Sequence, residues 1–314
     1  MTVDKPTTDP PISDMPAEHE PRDETSPSGD LPHRLEVRAY AAPARVFAVA
    51  LQALAALNIL YVAAHLVLDI IEGTESAPPL IVAMGVALFS GVPLAAGALL
   101  HHLLTATVDI QPPLLVLALR RTRFEIPLAS ITAIRPWRLP LPGPGLTLEM
   151  KSGRRFRYRL ELADPGVLLS ALGPELPSAR AALGQASIAY AGARHLFARR
   201  RWVHGLVKFG LFPLVLAVIL FRLHQYIVYG DAFGQYHLFG LGAYLQSFGT
   251  FWAGTTGGLV VYAGIFRLFG EAVALLLTWA LPSRARVIRR SVEALCGLAY
   301  FGLVPAYVLA RLLL

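Results

Sequence analysis

Along the chain, long apolar runs nearly free of charge are interrupted by one stretch, residues 105–173, where apolar and polar positions alternate over short segments. A helix needs about 20 apolar residues to cross a bilayer core of about 30 Å. Five runs meet that length: 46–70, 80–104, 202–221, 250–281 and 292–313. Pro93 is compatible with the second, because neighbouring helices satisfy freed backbone groups. The predicted fold class is an α-helical integral membrane protein with five transmembrane helices and one inserted small antiparallel β domain. In chain order this gives a tail (1–33), two helices (46–104), the β domain (105–173), a juxtamembrane helix (178–201) and three helices (202–314).

Within the β stretch, residues 107–111, 114–119, 124–128 and 131–134 are short β-prone runs divided by Pro112-Pro113 and followed by a Pro/Gly segment, 136–145. The clearest element is a hairpin. Leu146, Leu148 and Met150 alternate with Thr147, Glu149 and Lys151. Phe156, Tyr158, Leu160 and Leu162 alternate with Arg155, Arg157, Arg159 and Glu161. Keeping both apolar sets on one face predicts a three-residue loop, Lys151-Ser152-Gly153, with Glu149 opposite Arg155 and Leu148 opposite Phe156. Asp164-Pro165 predicts a helix start, with its end near Gly173. Ser178 is expected to cap the next helix, which runs to the basic Arg199-Arg200-Arg201 before Trp202.

Composition and charge orient this plan. The 314 residues are 55% hydrophobic and 16% charged, against about 25% charged in soluble proteins. Residues 1–30 carry eight acids against Lys5 and Arg22, with frequent prolines and no apolar periodicity, so they are expected to be disordered. They lack the basic n-region of a signal peptide and are expected to stay attached. Arg34, Arg38 and Arg45 precede the first apolar run, and Asp69, Glu72 and Glu75 follow it. Arg284, Arg286, Arg289 and Arg290 mark the turn before the last. The positive-inside rule then puts the N-terminus and the β domain in the cytoplasm and the C-terminus outside. Lys208 and Arg222 are placed to snorkel. Residues 224–249, rich in Tyr, Phe and Gly, read as an external interfacial or partly re-entrant loop. Abundant Ala, Leu, Arg, Gly and Pro fit a GC-rich bacterium, hence a bacterial cytoplasmic (inner) membrane. One cysteine, Cys296, permits no disulfide within the chain.

The segments Phe124-Glu-Ile-Pro-Leu-Ala-Ser-Ile-Thr-Ala-Ile, Gly145-Leu-Thr-Leu-Glu-Met-Lys-Ser-Gly-Arg and Asp164-Pro-Gly-Val-Leu-Leu-Ser-Ala-Leu carry a resemblance. Together they resemble the bacterial pleckstrin-homology-like (bPH) domains of membrane proteins. The resemblance implies a partly open barrel closed by a C-terminal helix, used for binding or assembly and without enzyme activity. The phosphoinositide motif of the eukaryotic relatives lies in their first hairpin, whereas Lys151, Arg154, Arg155 and Arg157 lie in a later one, so it is not carried over.

Candidate chemistry is sparse. Arg155, Arg157 and Arg159, with Arg120, Arg121 and Arg123, form a basic strip. It is either a solvated strand face partly neutralised by Glu149 and Glu161, or a surface for anionic headgroups at roughly 1 kcal/mol per basic group. It lacks interleaved aromatics for nucleic acid. Trp252 and Trp279 bracket the fourth run, which would set Arg267 near the bilayer midplane with Glu271 one turn on. A charge there is costly unless paired. The two are expected to neutralise each other, and a charge swap between them should then assemble better than either single change. His65 and Asp69, with Glu72 beyond, and His224, Asp231 and His237 are weak metal candidates without a tight motif; no metal and no cofactor is expected. His101-His102 reads as a headgroup contact. No catalytic or phosphate-binding motif occurs in a fitting context. The expected function is a non-enzymatic scaffold whose β domain binds membrane lipids, a partner protein or a second copy. The alternative is a small transporter or channel component using Arg267 and Glu271.

Overall fold

The computed structural model describes residues 34–73, 78–197 and 205–313. The expectations for residues 1–33, and for the Arg199-Arg200-Arg201 run before Trp202, lie outside them.

The described residues begin with a strand, where the sequence predicts only the basic flank of the first apolar run. β1 (Arg34–Ala41) runs directly into α1 (Ala42–Glu72). Tyr40 is buried, and before it exposed Arg34, Glu36 and Arg38 alternate with Leu35 and the buried Val37 and Ala39. This period-two pattern was present in the sequence but masked by the positive charges. α2 (Leu80–Leu103) returns, and β2 (Thr105–Gln111), β3 (Leu114–Ala118) and β4 (Arg123–Pro127) form a meander. After one 3₁₀ turn come β5 (Ile131–Pro136), β6 (Gly145–Met150) and β7 (Tyr158–Glu161). The sheet is antiparallel, in order β4-β3-β2-β1-β7-β6-β5. β4 and β5 are its two edges yet only Leu128–Ser130 separate them, so the sheet must curl into a half-barrel. Phe124 on one edge meets Phe156 and Tyr158 at 6.0 and 5.5 Å. The β domain is therefore not a simple insertion at 105–173: its central strand precedes the first apolar helix.

The hairpin tip is as read from the alternation. Glu149 bridges Arg155, Phe156 N–H donates to Leu148 O at 2.8 Å, and Gly153 turns at φ 72°. Further along, the register moves by two residues, so Leu146 faces Leu160 and Gly145 faces Glu161. Glu161 is buried instead of lying on the solvated strip, and Arg38 Nη1 donates to it at 2.5 Å. The outer face is covered there by residues 137–144. Arg45 of α1 donates to Leu141 O at 3.0 Å and stacks 3.6 Å over Trp137, and Gln52 donates to Pro142 O at 3.3 Å.

Asp164 caps α3 (Pro165–Leu172), accepting from Gly166 N–H at 2.9 Å. The expected single helix at 178–201 is two: α4 (Pro177–Leu183) and α5 (Ala186–Leu196), broken at Gly184. Ser178 is not the cap; Pro177 already occupies the first turn, and the Ser178 hydroxyl is buried without a partner. These helices and the inner sheet face share one core.

Among the described residues, five helices are long and apolar enough to cross a membrane: α1, α2, α6 (Val207–Tyr229), α7 (Gly234–Ala280) and α8 (Pro282–Ala310). The expected loop at 224–249 is helical. α6 continues to Tyr229, and α7 begins at Gly234 with one break at Gly240 (φ 83°), a conformation that glycine adopts without steric cost. Buried Gln225 and Gln235 bond to each other across this turn, at 2.9 Å from Nε2 to Oε1. The polar pair replaces the irregular backbone that the glycine content suggested. α2, α6 and α8 each contain a π turn: Ala87–Gly91, Val207–Leu211 and Ala299–Leu303. Each ends two residues before a proline (Pro93, Pro213, Pro305), with Phe at the fourth residue before it. Proline clashes with the carbonyl four residues back, and widening the preceding turn relieves that clash.

Candidate functional site

Arg267 and Glu271 are brought together as the spacing predicts, with Arg267 Nη2 2.6 Å from Glu271 Oε1. They are half of a larger arrangement. α7 and α8 run antiparallel about the turn at Leu281, and Arg289 and Glu293 lie symmetrically across it. Arg267 Nη1 donates to Glu293 Oε1 at 2.8 Å, and Arg289 donates to both Glu271 oxygens at 2.7 and 3.0 Å. Arg289 also bonds Glu293, one turn on in its own helix. The four charges sum to zero. The Arg289 side chain is 3% exposed, a burial that an arginine tolerates only when paired.

A fifth member comes from the sheet side. α5 packs against α7 and α8, and Tyr190 Oη donates to Glu271 Oε2. Tyr190, Ala274 and Val292 form a small buried cluster beside that bond. Burial, and then the Glu271 carboxylate, push the Tyr190 hydroxyl up to about 12. The network thus joins the helix that follows the half-barrel to the α7–α8 hairpin. Sequence reasoning placed Arg289 only in a basic turn and passed over Glu293 and Tyr190. The repeated Arg-x-x-x-Glu spacing on either side of the turn was the available signal.

The basic residues divide. Arg120, Arg121 and Arg123 are exposed in and beside the β3–β4 turn, and Arg120 Nη2 reaches His102 O, at the end of α2, at 3.4 Å. Arg155 and Arg157 are exposed on the β6–β7 hairpin, and Arg155 lies 3.9 Å from Glu149. The Phe124, Phe156 and Tyr158 contacts hold these two turns side by side. Arg159 is half-buried, opposite Tyr40 in the β1–β7 ladder.

The histidines are not assembled into a site. His65 stacks edge-on to Tyr61, His224 packs on Phe251, and His237 lies 3.8 Å from Asp231. Among the described residues, no three His, Cys, Asp or Glu side chains are grouped so as to hold a metal. His101 is turned inward against Tyr40 and its Nε2 is buried without a partner, whereas His102 is exposed. Burial, and then the Glu161 carboxylate, raise the affinity of the Tyr40 hydroxyl for its proton.

No family model, curated protein or solved structure matches this chain.

Proposed function

We propose that this is a non-enzymatic, multi-pass protein of a bacterial cytoplasmic membrane whose half-barrel, a pleckstrin-homology-like module, acts as a scaffold on the inner membrane surface. Its exposed arginines engage anionic lipid headgroups. The observation that carries this reading is the bond from Arg120 to the carbonyl of His102. It holds the β3–β4 turn, with Arg121 and Arg123, against the end of α2, where the bilayer boundary falls. The hairpin arginines Arg155 and Arg157 lie beside it. Three further features support the reading. Arg38, Arg45, Arg284, Arg286 and Arg290 cluster at the sheet-side ends of the apolar helices, as the positive-inside rule requires of a cytoplasmic face. Seven antiparallel strands curl into a half-barrel closed by α3, as the resemblance implies. And β1 and β2 are continuous with α1 and α2, so the module cannot leave the surface. That continuity also replaces the first hairpin, where the eukaryotic relatives carry their phosphoinositide motif, by two membrane helices.

The transport alternative gains no support from the Arg267 and Glu271 environment. Each carboxylate of the network is paired with two guanidiniums and each guanidinium with two carboxylates, which suits a fixed clamp between helices.

The test is hydrogen exchange of the full chain in nanodiscs containing phosphatidylglycerol or phosphatidylcholine only. The β3–β4 turn and the β6–β7 hairpin are expected to be protected in phosphatidylglycerol, and the protection should fade at high salt. Equal exchange in the two lipids would overturn the headgroup reading and direct attention to a protein partner on the same surface.

A further inference from the structure

Two of the π turns face each other. Tyr300 Oη, in the π turn of α8, donates to Lys208 O, in that of α6, at 2.7 Å. Phe212 packs at 5.2 Å on both Tyr300 and Phe301. Widened helical turns of this kind frequently mark functional sites. Beside them lies a partly enclosed cavity of about 1060 Å³, at the upper end of the roughly 300–1,000 Å³ typical of ligand sites.

The two ends of the cavity differ in chemistry. Arg194, Lys208, Arg267 and Arg289 line one end, and Glu293 is the only acid among the described lining residues. Glu293 and Glu271 are already matched by Arg267 and Arg289, which leaves Lys208 and Arg194 as surplus positive charge. Lys208 forms no ion pair among the described residues. Its ammonium instead lies 4.6 Å over the Tyr300 ring and 5.1 Å over Phe209. The Nε–H of Arg289 is buried without an acceptor. The other end is apolar: Ile59 and Val260 belong to the cluster that joins α1, α2 and α7, and Leu94 adjoins them.

We propose that this cavity binds one anionic phospholipid, its phosphate held by Lys208 and Arg194 and an acyl chain laid along Phe209, Phe301 and the Ile59–Val260 end. The chain exchanges one apolar surrounding for another, so it adds little affinity. Selection comes from the charge. Opposite charges attract several-fold more strongly in a half-buried, low-dielectric setting than in water. A soluble anion would have to give up its hydration to reach these half-buried cations, whereas the acyl chains keep the lipid phosphate beside them. The site is separate from the arginine surface of the half-barrel and does not depend on that assignment.

The probe is phosphatidylglycerol added to the detergent-purified full chain, with phosphatidylcholine and inorganic phosphate as competitors and native mass spectrometry as the readout. One phosphatidylglycerol should be retained per chain, phosphatidylcholine at least tenfold less. Lys208→Gln should weaken retention about tenfold, and Arg222→Gln, further along α6 and outside the cavity lining, should leave it unchanged. Because Lys208→Gln could disturb assembly, the wild-type chain supplies a second readout: phosphatidylglycerol, and not phosphatidylcholine, should raise its melting temperature. Equal retention of the two lipids, an equal thermal shift, or displacement by millimolar phosphate would each overturn the proposal. So would unchanged retention by a folded Lys208→Gln chain.

Discussion

The half-barrel and the helix bundle are held together by different means. The half-barrel has one contiguous core, in which Leu115, Leu148, Leu160, Leu168 and Leu169 are all at most 1% exposed. Among the described residues, the bundle has two separate clusters of three or four buried residues, and a third that it shares with Tyr190 of α5. Between those clusters its helices are joined by polar links and close approaches. Asn58 Nδ2 donates to Ser90 Oγ at 2.9 Å, and Ser90 donates on to Ala55 O at 3.0 Å. A Cβ on Gly257 would lie 2.7 Å from Ala83 Cβ, so α2 and α7 touch where glycine leaves room. In water, apolar burial drives packing at about 25 cal/mol per Å². In lipid, a leucine gains little by exchanging acyl chains for another leucine, and small residues and polar bonds decide which helices pair.

The sharpest way to break this contrast is to attack the polar link that the bundle buries most deeply. Removing Arg289 leaves Glu271 and Glu293 with only Arg267 between them. Arg289→Ala should cost about 3–5 kcal/mol, the usual penalty for breaking a buried ion pair by deleting one partner. It should show as a marked fall in melting temperature in mild detergent. The four-membered network limits an expectation drawn from Arg267 and Glu271 alone. Exchanging only those two sets a carboxylate against Glu293 and a guanidinium against Arg289, so the double swap should fall well below wild type, while its neutral total keeps it above either single change. Exchanging all four should recover part of the loss. A double swap as stable as wild type would mean that Arg289 and Glu293 are not partners.

The same contrast predicts that leucine deletions behave oppositely in the two regions. Leu148→Ala removes a fully buried side chain from the half-barrel core and should cost about 3 kcal/mol, within the usual range for such cavities. Leu57, in α1, is 63% exposed and would face lipid, so Leu57→Ala should cost under about 0.5 kcal/mol. Comparable losses from the two, measured by thermal melts of the full chain in one detergent, would put Leu57 in a helix contact.

The parts of the fold that were legible in the sequence are those with a local period. Five apolar runs, the alternation around the hairpin tip and the Asp164-Pro165 cap each announce themselves within a few residues. β1 was hidden because its outward arginines look like the charged flank of a membrane helix, and its partners β2 and β7 lie far along the chain. The register shift near Gly145 was hidden for a similar reason. A Cβ there would lie 2.5 Å from Leu160 O, so only the tertiary approach explains the change. Of the candidate site, the i,i+4 pair was legible. Its completion across a turn by Arg289 and Glu293, and from another helix by Tyr190, follows from packing that no local pattern encodes.

Tyr190 tests the junction between the two regions, and its effect should be the smallest of the three major substitutions. Tyr190→Phe keeps the ring in its cluster with Ala274 and Val292 and removes only the bond to Glu271. A hydrogen bond to a charged group contributes about 1.5–3 kcal/mol; Arg289 and Arg267 still satisfy Glu271, so the lower figure is expected. The pH dependence shows whether the hydroxyl is buried beside Glu271 or the ring alone contributes. The hydroxyl is pushed from its ordinary value of 10.0 to about 12 by burial and by Glu271. The folded chain therefore keeps the proton where the unfolded chain has lost it. The contribution is complete below pH 10 and is lost as the pH rises from 10 towards 12. Other tyrosines and lysines titrate in that window, so the informative quantity is the difference in melting temperature between wild type and Tyr190→Phe. That difference should be constant from pH 7 to about pH 9.5 and shrink above pH 10. A difference that stays constant to pH 11 would mean that Tyr190 contributes its ring alone, and that the half-barrel and the bundle are joined only by apolar contact at this point.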